Sequence, residues 1–356
     1  MPTVCINQPD CRVRLHTDRL EIIAIDDETG KEQVLREIPI RDIDRLITSE
    51  SVHFTPAAMA ELLRNGIPIQ IFSWTGQFLG NFLPAQNSHG LARLRQYQCT
   101  LDPAFALDIA RRVVTAKIYN QRRVLQRIAA GRADDDTAEP EANTDPAPLP
   151  PACATELRAT LRWMDSALDS LKTCTTIDEV RGYEGAATAR YFHDWAGFLP
   201  TEFPFERRST RPPLNPVNAC ISFGATIIYN EMVAFLHAHG LDPALGTLHN
   251  TEDGRWSLAL DLIEPFRPVI VEALALDLFT HQMLNKQHFE NRNGGVYLNS
   301  DGRKKFFLQY ERRMERQFMS EFVGHRTTLR QQLENQAVMY KTALESPDKL
   351  KPFQIN

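Results

Sequence analysis

The chain has 356 residues, 43% of them hydrophobic and 24% charged, with a formal net charge of −5. At roughly 150 residues per domain this suggests about two domains, with ample material for buried cores. The net charge argues on its face against nucleic-acid binding, but the distribution of charge matters more than the total.

The N-terminal residues Met1 to Asn7 lack a basic start followed by an apolar run, so no signal peptide is expected. Residues 1 to about 85 read mostly as strand. Arg19–Ile25 is β-like, Asp26–Lys31 is a turn, and short runs follow at Ile38–Ile40 and Arg45–Thr48. One helix interrupts them, with Thr55-Pro56 as cap and first turn and Gly66 as its end. Ile67–Phe72, Thr75-Gly76 and Gln77–Leu83 then read as a hairpin. Residues 86–100 are taken as a linker.

From about residue 100 the period becomes helical, with Leu107, Val114, Ile118, Leu125 and Ile128 on one face. On the same helix Arg112, Arg123 and Arg127 fall along one stripe. Residues 131–153 form an insert rich in Pro and Asp, read as a mobile loop. Six of its residues are acidic: Asp134, Asp135, Asp136, Glu139, Glu141 and Asp145. Without them the chain is close to neutral, and its basic residues are grouped. Helices are expected at about 154–171, 177–196, 216–239, 257–285 and 301–344, which makes the second half all-α. Residues 346–356 read as a tail, disordered or docked on a partner. No stretch approaches ~18 uncharged apolar residues, so a membrane span is not expected and the cytoplasm is the expected address. None of the six cysteines shows C-x-x-C spacing, which argues against a zinc or iron–sulfur site. The expected fold is α+β: a β-rich domain (1–85), a linker, and a larger helical catalytic domain (101–345).

Three places could carry chemistry. Glu184 sits among small residues in Arg181-Gly182-Tyr183-Glu184-Gly185-Ala186-Ala187, where a ligand could approach closely. It could equally be an acid complementing a helix N-terminus. His249 lies in Gly246-Thr247-Leu248-His249, between a long helix and a polar loop. It is either a ligand or a structural histidine. Asp261 and Glu264, spaced i,i+3, share one helical face among Leu, Ile and Phe. Two buried carboxylates repel each other and lose hydration, which a bound cation or a partner such as Arg267 would relieve. Two or three carboxylates and an imidazole suit one divalent ion, Mg²⁺ or Mn²⁺.

With Pro216–Gly224, Gly246–His249 and Leu260–Pro268, the Glu184–Ala187 segment resembles the CRISPR-associated integrase family, the first of the Cas proteins. Leu62–Ile69 and Gly295–Phe306 are similar to that family too, so the resemblance covers nearly the whole chain. It implies a homodimer formed through the β-rich domain and assembly with a small ferredoxin-like second Cas protein. It also implies a metal held by Glu184, His249 and Glu264, with Asp261 as a second acid of the site. The later ligand is commonly Asp in that family, so which of Asp261 and Glu264 touches the metal stays open. The implied reaction joins 3′-hydroxyl ends of short duplex DNA to a CRISPR array by transesterification; the alternative is a general metal-dependent nuclease on branched or broken DNA. A separate spacer-trimming nuclease is a possible further partner. Double-stranded DNA would be held mostly through its backbone. The candidate surfaces are Arg112, Arg123 and Arg127; Arg207, Arg208 and Arg211; Arg303, Lys304 and Lys305; and, near the metal, Arg255 and Arg267. Asn218 and Tyr229 could orient substrate or ligands.

Overall fold

The computed structural model describes residues 3–6, 8–25, 31–73, 78–85, 89–131, 151–321 and 323–356. Two compact units divide the chain: Met1–Tyr97 with Thr226–Pro243, and Gln98–Ala225 with Ala244–Asn356. The strand-rich beginning and the helical remainder make an α+β fold.

The first unit holds β1 (Thr3–Ile6), β2 (Arg12–His16), β3 (Arg19–Ile25), β4 (Glu32–Pro39), β5 (Arg45–Ser49), β6 (His53–Phe54), α1 (Pro56–Arg64), β7 (Ile69–Phe72) and β8 (Phe78–Phe82). These make two four-stranded sheets, ordered β1-β5-β7-β8 and β4-β3-β2-β6. In the first sheet β1, β5 and β7 run parallel and β8 returns antiparallel to β7. The core gathers Val13, Leu20, Leu46, Leu62 and Ile69 from both sheets and α1. The Thr55 hydroxyl caps α1 by accepting from the Ala58 N–H at 3.3 Å, and Gly66, at φ +76°, ends it. Both expected turns of this region, at 26–30 and 74–77, lie outside the described residues. The second half of the expected linker is helical instead, as α2 (Gly90–Thr100).

The second unit is built on α3 (Pro103–Ala129), α4 (Pro151–Leu171) and α5 (Ile177–Ala196), with α3 packed against both others. Asp102 caps α3 and Pro103 opens it; Thr176 and Glu179 form a capping box on α5. Then follow α6 (Pro216–Ala238), α7 (Ser257–Ile263), α8 (Ala273–Thr280), β9 (Phe289–Arg292), β10 (Gly295–Leu298), α9 (Ser300–Glu315), β11 (Phe318–Ser320), β12 (His325–Thr327) and α10 (Leu329–Ala343). The first ten residues of α6 belong to this unit and the rest to the other. By length and composition α6 could cross a membrane, and 72% of its apolar window is buried inside the protein.

Several expectations are corrected. The helix expected over 257–285 breaks after Ile263 and continues through a wide π turn at Arg267–Glu272 before α8. Pro265 and Pro268 explain the break, because neither can donate a helical hydrogen bond. The helix expected over 301–344 is interrupted by the β11–β12 hairpin and restarts at a second capping box, Thr328 with Gln331. The second half is thus a helical domain that carries short two-stranded hairpins. A further hairpin, β9–β10, turns through Asn293 and Gly294, both at positive φ. The tail is ordered and packs on its own chain: Leu350 and Phe353 are buried, and Phe353 stacks on Phe266 with ring centroids 4.7 Å apart. The acidic insert lies, for residues 132–150, outside the described residues.

Candidate metal centre

Four elements of the second unit bring charge together. α5 carries Glu184, the turn after α7 carries Glu264, the loop entering α7 carries His249, and α3 carries Lys117. The Lys117 ammonium lies between the two glutamates, ion-paired to Glu184 Oε1 on one side and to Glu264 Oε2 on the other. Glu184 Oε1 also accepts from the Thr188 hydroxyl at 3.1 Å. Glu264 Oε1 accepts from Arg267 at 2.9 Å. A Cβ on Gly182 or Gly185 would meet nothing within 4 Å, so the backbone beside Glu184 faces open space.

Asp261 is fully buried and its lone pairs are taken up. Oδ2 accepts from the N–H of Thr247 (2.6 Å) and Leu248 (2.9 Å) and from the Thr247 hydroxyl (3.2 Å). Oδ1 accepts from the His249 N–H (2.9 Å) and lies 2.7 Å from His249 Nδ1. A carboxylate only accepts, so Nδ1 carries the hydrogen, and in the neutral ring the Nε2 lone pair is left for a ligand. Arg181 fixes the same loop from α5, donating to the Leu248 carbonyl (2.8 Å) and Asn250 Oδ1 (2.5 Å). Gly246 is required here: a Cβ would come within 2.6 Å of the His249 carbonyl and of Ser257 Cβ.

Glu264 Oε2 is ion-paired but has no directed hydrogen bond, unlike either oxygen of Asp261. The carboxylates of Glu184 and Glu264 and the imidazole Nε2 of His249 are donors of the chemical kind that a divalent cation takes. Among the described residues, one group of three ligating side chains has its ligand atoms within 4.8 Å of one another, and it lies elsewhere, at Glu156, His193 and Asp194. The Glu184–Glu264–His249 set is held wider, with the Lys117 ammonium between its carboxylates.

Burial alone would push the Glu264 carboxyl upward, but Arg267, Lys117 and His249 outweigh it and hold the group well below the usual carboxylate range. Burial would lower Lys117, and Glu264 and Glu184 reverse that. Behind Arg267 sits Glu272, 2% exposed, whose carboxyl burial raises despite the cations around it. Burial and the neighbouring Arg267 push Arg208 down to about 10. Asn218 accepts from Arg208 and from the Ser209 N–H (3.0 Å) and donates to the Arg207 carbonyl (2.9 Å), so it ties residues 207–209 to α6.

The other candidates are spread more widely. Arg112 pairs with Asp108 (2.9 Å) and reaches the Leu350 carbonyl (3.4 Å); Arg123 and Arg127 both donate to the Asn356 carbonyl at 3.1 Å. The stripe on α3 therefore holds the tail. Arg207 and Arg211 are exposed, and Arg255 pairs with Glu252 at 3.2 Å. Arg303 donates to the Leu298 carbonyl (2.8 Å), Lys304 lies 3.8 Å from Asp301, and Lys305 reaches the Met283 carbonyl at 3.4 Å. Tyr229 falls on the part of α6 assigned to the first unit.

Sequence alone assigns no site role to Lys117, Asn120, Arg181 and Glu272. Two had a signal. Lys117 follows Val113 at i+4 and Val114 at i+3, and Asn120 follows Ala116 and precedes Val124 at i±4, so both sit, with Gln121, on a face whose other members are apolar. Arg181 and Glu272 had none that spacing alone reveals.

A family model described as "CRISPR associated protein Cas1" matches residues 4–312. "CRISPR-associated endonuclease Cas1 1" of Thermodesulfovibrio yellowstonii is 30% identical over 320 residues, covering 89% of this chain and 92% of that protein. Two solved structures share the fold. A chain of a "Partial Cas6-RT-Cas1--Cas2 complex" superposes with a TM-score of 0.74 at 23% identity, covering 98% of each chain. A "Casposase bound to integration product" gives 0.66 at 22%, covering all of both. With the family match spanning most of its length, this chain belongs to the CRISPR-associated Cas1 family.

Proposed function

We propose that the chain is a metal-dependent DNA integrase of CRISPR adaptation, with Glu184, His249 and Glu264 as ligands of one Mg²⁺ or Mn²⁺ ion. The observation that carries this is Asp261: its oxygens are spent on three backbone N–H groups and on His249 Nδ1, which leaves Glu264 as the second carboxylate with lone pairs to offer. When bound, such an ion supplies Lewis acidity that withdraws charge from a phosphodiester.

The chain's own residues divide the remaining work. Asp261 fixes the tautomer and direction of the His249 ring. The glycines flanking Glu184 leave room for a DNA strand to approach. Arg267 and Arg255 are the candidates for phosphate contact beside the site. In the proposed reaction a 3′-hydroxyl oxygen attacks phosphorus and gives up its proton to solvent, the bond to the departing 3′ oxygen breaks, and that oxygen takes up a proton to become the new 3′-hydroxyl. One phosphodiester replaces another, so no ATP is consumed. The groups Arg207, Arg208 and Arg211, then Arg303, Lys304 and Lys305, and Arg112, Arg123 and Arg127 remain the candidates for backbone contact. The solved complex named above contains Cas2, which supports a small second Cas protein as partner. We expect a homodimer, a separate trimming nuclease and a cytoplasmic setting as well.

The test is strand transfer by the chain with its small partner, using a labelled duplex with 3′-hydroxyl ends and a plasmid carrying a leader and repeat. Joining should require Mn²⁺ or Mg²⁺, stop with EDTA, and be abolished by Glu184→Ala and His249→Ala in folded protein. The relative from Thermodesulfovibrio is named an endonuclease, which favours hydrolysis as the second reading. Free 5′-phosphate fragments without joined strands would establish it.

A further inference from the structure

Lys117 is the least expected member of the site. Its side chain is 5% exposed, and the structure pairs it with the two carboxylates to which the proposed function assigns a metal. Arg267 holds the other oxygen of Glu264, so the pair of glutamates is neutralised by two cations of the chain itself. An ammonium and a divalent ion cannot both sit against the same carboxylate oxygens, one pair of them buried, without strong repulsion. Glu264 Oε2 shows the conflict most directly, because Lys117 meets it as an ion pair without a directed hydrogen bond.

We infer that Lys117 is the resident counter-ion of the Glu184–Glu264 pair, a positioning residue that a divalent cation must displace. It keeps the buried Glu264 carboxylate and the half-buried Glu184 carboxylate together when no metal is bound, and it keeps metal affinity low enough for the ion to exchange. This rests on the metal site of the proposed function, and it goes beyond that site by assigning its affinity to a residue outside the ligand set.

The discriminating experiment is calorimetric titration of Mn²⁺ into the full chain, for wild type, Lys117→Met, Lys117→Gln and Glu184→Gln. Removing a residue that merely supports the fold would weaken binding. Removing a competing cation strengthens it, so Lys117→Met and Lys117→Gln should each bind Mn²⁺ at least tenfold more tightly than wild type. Lys117→Gln keeps a polar, uncharged end on a side chain one atom shorter, which covers the case where the methionine variant does not fold without metal. Folding of that variant on addition of Mn²⁺ would also support the inference. Unchanged or weaker binding in the folded glutamine variant would overturn it while leaving the metal site standing. A wild-type titration that Glu184→Gln leaves unaltered would overturn both the site and the inference.

Discussion

Replacing Asp261 with alanine strips three backbone N–H groups of their acceptor at once. Each orphaned buried donor costs about 1–3 kcal/mol, so Asp261→Ala should lose at least about 3 kcal/mol in denaturant unfolding. Activity should fall with it, because His249 loses the anchor on Nδ1. Gly185 should behave in the opposite way. It lies within α5 and a Cβ there meets nothing, so Gly185→Ala should raise stability by roughly 0.5–1 kcal/mol in the same assay. Glu272 has a pH signature. Burial raises its carboxyl above the ordinary 4.5 despite Arg267, Lys117 and Arg208. A folded value above the unfolded one means that its contribution to stability is complete below the unfolded value and is lost as pH rises through the folded one. Glutamine cannot ionise, so thermal melts should show Glu272→Gln gaining on wild type as pH climbs from 4.5 towards neutrality.

The helices with clean caps were legible in the sequence almost to the residue: Thr55-Pro56 for α1, and 177–196 for α5. Those interrupted by proline or by a hairpin were not. Pro265 and Pro268 stand in plain view, but the apolar residues around them keep a helical period across the break, which masks the missing donors. The tail was misread for a different reason. Its partners lie on α3 and beside Glu264, and no local pattern announces a contact so distant in sequence. Asn120 donates to the carbonyls of both Pro265 (2.7 Å) and Phe353 (2.9 Å), so one amide joins the tail to the residue after Glu264. Phe353→Ala should therefore cost about 3–5 kcal/mol by unfolding, and it should weaken Mn²⁺ binding through the loosened turn.

For the molecule as a whole, the acidic and histidine residues of the site were legible because they stand out from apolar surroundings. Their division of labour was not, because it depends on which oxygens the backbone has already claimed. Net charge was the poorest guide. Residues 133–150 contain six acids and no base. Deleting them should tighten binding to duplex DNA severalfold at low salt in a fluorescence titration, with the difference fading as salt screens the charge.

The pairing of Asn120 with Phe353 joins positions 233 residues apart. Contacts of such range form late, since the entropy of closing a long loop must be met before they contribute. The turn bearing Glu264 should thus gain this support late in folding, and a partly refolded chain should hold the candidate ligands out of register. In a refolding time course, affinity for Mn²⁺ should return with the slowest phase, well after helical signal has recovered. On the proposed function, competence for metal binding would then be the last property the chain acquires.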